Sequence, residues 1–238
     1  MSGLQSLSII FLAALIHASF QLSVSVLTLI SGHSLSAKYS NKRALSLASS
    51  FILGVILMIF LLLSSLSWVF MQIFQGVIPE YLWSIVCGIL LGLAIAVWLF
   101  YYRREKGTSL WIPRDFAEYL TNRTKSTKTI AEAFGLGVSS VLGEILFIIG
   151  PLMIAVLALT KLSGPMQVAG VLIYTLISVA PLLIVLFLVG GGYSLSKIQK
   201  WREKNKYFLQ FIAGLGLIIA SFFVYANEII GRFNMVVS

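Results

Sequence analysis

Glu144 stands alone near the middle of an apolar stretch of more than twenty residues, in a chain that offers lipid little else to ionise. An ionisable group at bilayer depth is costly enough that it usually serves transport, proton relay or coordination, so this residue sets the functional question. The surrounding sequence sets the class. Hydrophobic residues make up 59% of the 238 positions and charged residues 11%, with a mean hydropathy of +0.98, a balance outside the range of soluble domains. A membrane span needs roughly 20 apolar residues. The chain divides into about six such stretches, near 7–31, 44–72, 82–102, 131–160, 165–191 and 207–228. The expected fold is therefore an all-α membrane protein of six transmembrane helices, with no room for a separate soluble domain.

The first eight residues, Met1 to Ser8, contain no Lys or Arg, so they lack the basic leader of a cleavable secretory signal and are read as the start of the first membrane helix. Lys38, Lys42 and Arg43 follow the first stretch. Arg103, Arg104, Lys106, Arg114, Arg123, Lys125 and Lys128 follow the third, and Lys197, Lys200, Arg202, Lys204 and Lys206 follow the fifth. Only Lys161 and Arg232 break this alternation. By the positive-inside rule the basic loops face the cytoplasm and both termini lie outside the inner or plasma membrane. The net charge of +9 is then a matter of topology and anionic lipid, with no need for a nucleic-acid partner. Cys87, the sole cysteine, can form neither an intrachain disulfide nor a dithiol pair and is expected to be a small buried residue.

The chain divides near 103–130 into two similar halves, 1–102 and 131–238. Each runs long helix, polar loop, long helix, short loop and a shorter Gly-containing helix, with Gly88 and Gly92 in the first and Gly214 and Gly216 in the second. Three spans per half is odd, so the second half enters from the opposite face and the expectation is a 3+3 inverted-topology repeat with a site where the halves meet. Between them, Trp111 to Asn122 opens on Pro113 and the pair Asp115 and Glu118, and sets Phe116, Tyr119 and Leu120 on one side. It is expected to be a short amphipathic helix on the cytoplasmic face, either a headgroup-resting connector or a surface that binds a partner protein. Thr129 and Glu132 have the spacing of a capping box at the start of the fourth span.

Glu144 is twelve residues past Glu132, about 18 Å of helix rise, and is therefore deep. His17 and Gln21 in the first stretch are four apart, on one helical face, with Ser19, Ser23 and Ser25 nearby; Ser139 and Ser140 extend the polar face of the fourth. Burial disfavours the charged form of His and of Glu alike, and each charge offsets the other when they touch, so such a pair can exchange a proton near neutral pH. Three roles stay open for this set: proton coupling or contact with a polar substrate, a metal site for which one His and one Glu are a thin ligand set, and a structural interhelical hydrogen bond. No cofactor is called for. Enzymatic chemistry is not expected either, since His33 sits in the loop Ser31-Gly32-His33-Ser34 and Gly190-Gly191-Gly192 lacks the Lys of a phosphate loop and reads as a helix stop. Pro181 falls in the middle of the fifth stretch, where a kink is expected.

Several short motifs give the chain a family resemblance. Gly135-Leu136-Gly137 opens the fourth helix, Tyr174 and Pro181 keep a Y-x6-P spacing in the fifth, and Ala213-Gly214 lies in the sixth; Ser31-Gly32 and Phe51-Ile52-Leu53-Gly54 give weaker matches in the first half. In this the chain resembles the six-helix CcdA/DsbD-like proteins of cytochrome c biogenesis and thiol-disulfide exchange, within the LysE-like transporter superfamily. The family's redox motifs would fall on His17-Ala18-Ser19-Phe20-Gln21 and Ser140-Val141-Leu142-Gly143-Glu144, with Ala18 and Val141 at the cysteine positions. Disulfide chemistry therefore does not carry over. What the resemblance implies is the scaffold, a transporter of a small solute or ion with His17 and Glu144 as coupling groups and Gln21 and Ser140 as substrate ligands. A non-transporting scaffold that binds a partner through 103–130 is the alternative, and Gly88-x-x-x-Gly92 would permit a homodimer.

Overall fold

A computed structural model describes residues 3–20, 41–99, 119, 122–124, 126–191, 197, 200, 201 and 204–231. The described residues are predominantly helical and include no strand, as lipid requires of a spanning chain that must satisfy its own backbone. Among the described residues, six long α-helices follow in order: α1 (Gly3–Ser19), α2 (Asn41–Phe74), α3 (Glu80–Leu99), α4 (Ile130–Leu159), α5 (Gly164–Gly190) and α6 (Lys206–Val224), the last continuing into a π-helical turn, Tyr225–Ile230. Among the described residues, α2 to α6 are long and apolar enough to cross a membrane, and the protein is a multi-pass membrane protein. Its outward surface is apolar along these helices: Phe187 is 77% exposed and Phe222 64%, side chains that belong against lipid.

The first stretch differs from expectation. Instead of a span over 7–31, α1 is a 17-residue helix that stops at Ser19. Its last turn tightens, with the Phe20 amide donating to the His17 carbonyl at 3.0 Å and the Ser19 hydroxyl to the Ile16 carbonyl at 2.6 Å, so the terminal carbonyls find partners without a further helical turn. The rest of that expectation, with Gln21, Ser23, Ser25 and His33, lies outside the described residues. The connector helix over Trp111–Asn122 does so largely as well; Tyr119 and residues 122–124 are helical, with the Arg123 guanidinium 5.9 Å from the Tyr119 ring centre.

At the start of α4 the capping box is present. The Glu132 amide donates to Thr129 Oγ1 at 3.2 Å, while Glu132 Oε2 accepts from the Lys128 and Thr129 amides at 2.8 and 3.0 Å. The same end of the bundle is tied by Ser50, whose hydroxyl donates to the Ile130 carbonyl, and by Arg43, which donates to the Lys128 carbonyl. Helix α5 runs through Pro181 and stops at Gly190, where the Gly191 amide reaches back to the Phe187 carbonyl. At the opposite end, Gly3 lies against Leu162 and Met166, and the Gln167 side chain reaches Met71.

Helix pairing places α4 at the centre. It packs along α2, against α1, and more lightly on α3; α1 in turn packs on α5 and α6, α2 on α5, and α3 on α6. The closest approach is between α2 and α4. A Cβ added at Gly54 would sit 2.2 Å from the Phe134 carbonyl oxygen, and one at Gly137 would sit 2.1 Å from that of Phe51. These two backbones touch because neither residue has a side chain, the way small residues bring helices together where lipid supplies no hydrophobic drive. Trp83, Tyr174 and Phe51 are the largest fully buried side chains of the core. Gly88 and Gly92, by contrast, have nothing within 4 Å of a built Cβ.

Gly137→Ala or Gly54→Ala must push two backbones apart, and each is expected to destabilise the protein by about 2 kcal/mol. Gly88→Ala meets no atom and should leave stability equal or slightly raised, since alanine favours helix. Thermal melting in detergent, run on all three, checks this; equal melting temperatures would contradict the close packing.

Candidate functional site

Glu144 is the fifteenth of the 30 residues of α4, about 21 Å from its start, and is 3% exposed. Gly137, Ser140 and Glu144 follow one stripe of the helix at spacings of three and four. That stripe lies on α2 at Gly137 and on the last turn of α1 at Glu144, where His17 Nε2 is 3.9 Å from Glu144 Oε2. The separation exceeds a hydrogen bond and is within reach of an ion pair. His17 is likewise buried, at 3% exposure. Its other ring nitrogen, Nδ1, lies 3.0 Å from the hydroxyl of Tyr174 on α5, and the two rings are 5.6 Å apart.

The three side chains thus form a row across α4, α1 and α5, with the imidazole in the centre. Were Glu144 ionised it could only accept, which would favour the imidazole proton on Nε2 and let Nδ1 accept from the Tyr174 O–H; the opposite tautomer would have Nδ1 donate to Tyr174. The end of α1 adds to this field. A helix C-terminus carries partial negative charge, so His17 in the last turn and Glu144 beyond it make a locus that favours a bound positive charge or proton. Phe20, one residue past α1, stacks on Phe147, one turn beyond Glu144.

Of the four residues expected to share a site, His17 and Glu144 are in contact and Ser140 is one turn from Glu144 on the same face, fully buried, with its hydroxyl donating to the Gly137 carbonyl at 2.8 Å. Gln21 lies outside the described residues. No group of three or more His, Cys, Asp or Glu is gathered in one place among the described residues. Two prolines flank the row in an identical register. Pro151 follows Glu144 by seven residues and Pro181 follows Tyr174 by seven, and each interrupts the backbone ladder one turn past the polar side chain by leaving the carbonyl four residues back, Phe147 or Ile177, without its helical donor. Cys87 is buried on α3, where its thiol donates to the Ser221 carbonyl at 3.5 Å and Ser221 returns a hydroxyl bond to the Cys87 carbonyl at 3.1 Å, joining α3 to α6.

Sequence reasoning passed over two features. Tyr174 was visible only as part of a family motif, although a tyrosine in mid-span beside Thr175 and Ser178 is itself a sign of a polar face. The second is an ion pair between Lys161, in the turn from α4 to α5, and Glu228, in the π-helical turn after α6. Glu228 is 1% exposed, and the Lys161 ammonium also lies 4.6 Å from the centre of the buried Trp83 ring on α3. The signal was there: Lys161 breaks the alternation of basic loops, and Glu228 is an acid in the last apolar stretch. The wide π turn aims that carboxylate inward. No family model, no curated protein and no solved structure matches this chain.

Breaking the Lys161–Glu228 pair from one side leaves a charge buried alone, so Lys161→Met is expected to cost about 3 kcal/mol. The double variant Lys161→Met, Glu228→Leu should recover most of that loss. A double-mutant cycle of melting temperatures decides it; additive losses would show the pair to be uncoupled.

Proposed function

We propose that this protein is a transporter that moves a small solute or ion across the inner or plasma membrane by alternating access, coupled to a proton held between Glu144 and His17. The observation that carries this is the contact itself: an imidazole and a carboxylate, both buried, 3.9 Å apart about midway along the most buried of the long helices. In that place either charge alone is costly, and the pair lowers the cost by sharing a proton. Moving the proton on or off changes the net charge of the centre. That change biases which helix arrangement is stable, which is what a coupling group does.

The pairing of helices supports a two-fold architecture of three plus three. In an inverted repeat α1 corresponds to α4, α2 to α5 and α3 to α6, so the contact of α1 with α5 has its mate in α2 with α4, and that of α1 with α6 in α3 with α4; all four are present. Contacts α1 with α4, α2 with α5 and α3 with α6 are their own mates, and these are present too. Repeats of this kind rock against each other around a central site, and helices that end or break at mid-depth line it. The stop of α1 at Ser19 fits this scheme, and so do Pro151 and Pro181. In this reading the positive-inside rule puts the Ile130 end, which carries the basic loops, at the cytoplasm and the Lys161 end outside. The scaffold that this reading requires is the one the LysE-like superfamily resemblance implies, with Gln21 and Ser140 as ligands of the transported species.

Glu144→Gln keeps the shape of the side chain and removes its proton chemistry. In proteoliposomes under an imposed pH gradient, assayed with a panel of amino acids and divalent cations, it is expected to abolish flux while the melting temperature stays within a few degrees of the parent. Flux that survives the substitution would overturn the coupling role. A scaffold that works through 103–130 would instead be indifferent to Glu144 and sensitive to changes at Phe116 and Tyr119.

A further inference from the structure

We propose that the coupling proton reaches His17 and Glu144 from the end of the bundle that carries Lys161, along a gated, water-accessible seam between α1, α2 and α5 marked by Ser6, Ser67 and Gln167. This rests on the proton-coupled function proposed above.

The hydroxyls point to it. Buried Ser140, Thr160, Thr175 and Ser178 each donate to a carbonyl of their own helix at 2.8 to 3.0 Å, and Ser50 donates to the Ile130 carbonyl. Ser6 and Ser67 are the exceptions among buried serines and threonines of the described residues: their oxygens, in side chains 1% and 8% exposed, have no hydrogen-bond partner in the protein. A buried hydroxyl left so is unfavourable unless water reaches it, and polar buried sites of this kind are where proteins hold water.

Both serines lie on helix faces turned toward α5. Ser6 precedes His17 by eleven residues, three helical turns to within about 20°, so the two share a face of α1. On that face Gly3 lies by Leu162 and Met166, and Ile10 lies by Gly170, which fixes it against α5. Ser67 is one turn from Met71, whose sulfur accepts the Gln167 side-chain amide at 3.2 Å. A thioether is a weak acceptor, so this amide too sits in surroundings poor in better partners. Gln167 in turn precedes Tyr174 by seven residues, two turns, on one face of α5. Three helices therefore each carry a polar atom near the Lys161 end, with α1 and α2 both packed on α5, and the α5 face that holds Gln167 continues to Tyr174, whose hydroxyl touches His17 Nδ1.

Between the outer polar groups and Tyr174 the seam narrows to apolar atoms. A Cβ on Gly170 would come within 2.7 Å of Leu159 and 3.0 Å of Ile10. Apolar constrictions of this kind gate by excluding water. Ile10, Leu159 and Gly170 hold the route shut in this arrangement, as a coupled carrier must to prevent proton leak, and a small separation of α1 from α5 opens it.

The test is thiol labelling in proteoliposomes of the full chain. Ser6→Cys and Ser67→Cys are made one at a time in a Cys87→Ala background, each exchange replacing oxygen by sulfur, and folding is checked by melting temperature. A small, charged, membrane-impermeant methanethiosulfonate is added at the Lys161 side, with Ala94→Cys and Ala155→Cys as packed-core references, both sites being fully buried. Since only a hydrated thiolate reacts, both serine-position variants are expected to label roughly tenfold or more faster than the references. Either one labelling no faster than the references, or only from the opposite side, overturns the seam. Labelling does not depend on flux. Absent labelling together with a flux-dead Glu144→Gln removes this route and leaves coupling intact, whereas normal labelling with a harmless Glu144→Gln overturns the coupling itself and with it the proton's use of the seam.

Discussion

The rest of the structure depends on the bare contact of α2 with α4 at Gly54 and Gly137. Lipid tails are as apolar as the side chains they would replace, so helices in a bilayer gain little from mere hydrophobic burial and rely on closeness of fit. With each glycine set against the other helix's carbonyl, the two long helices have no room to slide or rotate past one another. That registration turns the stripe Gly137, Ser140, Glu144 inward along its whole length. Two turns beyond the crossing, the acid is delivered to the end of α1 instead of to lipid.

Two pairs of charged or chargeable groups are buried in this fold, and they are handled differently. Lys161 and Glu228 sit near one end, where the ammonium is closed in by the carboxylate on one side and the Trp83 ring on another. That arrangement joins α3, the α4–α5 turn and the end of α6, and it neutralises both charges locally. His17 and Glu144 sit at mid-depth with a looser 3.9 Å separation, and the imidazole is shared with Tyr174. The first geometry is that of a fixed bond, and the second is the one on which the proposed coupling rests. Helix irregularity follows the same division: a π turn carries Glu228, while Pro151 and Pro181, two turns past Glu144 and Tyr174, interrupt the backbone ladders of α4 and α5.

Much of the helical plan was legible in the order of residues. Apolar runs of spanning length placed α2 to α5 to within a few residues, because in lipid the helix is the one way for a single segment to satisfy its backbone. Thr129 and Glu132 announced the start of α4 through side-chain chemistry confined to one turn. The stop of α1 at Ser19 was not legible, since apolar residues continue past Phe20, interleaved with Gln21, Ser23 and Ser25, and no glycine or proline marks the break. Nor was Tyr174 as a partner of His17, which lies 157 residues away in the chain. The role of Glu228 was hidden for another reason: whether an acid near a helix end faces water or the interior depends on the π turn that carries it.

By itself, then, the sequence determined the class of the protein, the ranges of its long helices, the alternation of basic loops and the depth of Glu144, because each follows from local composition and from the thickness of a bilayer. Tertiary structure decided which polar groups meet. Glycine contacts choose the faces that pack, and only that choice brings His17 between Glu144 and Tyr174, sets Lys161 on Glu228, and leaves the hydroxyls of Ser6 and Ser67 inside the bundle. Those encounters join residues far apart in the chain through van der Waals fit, a force with no signature in any single segment.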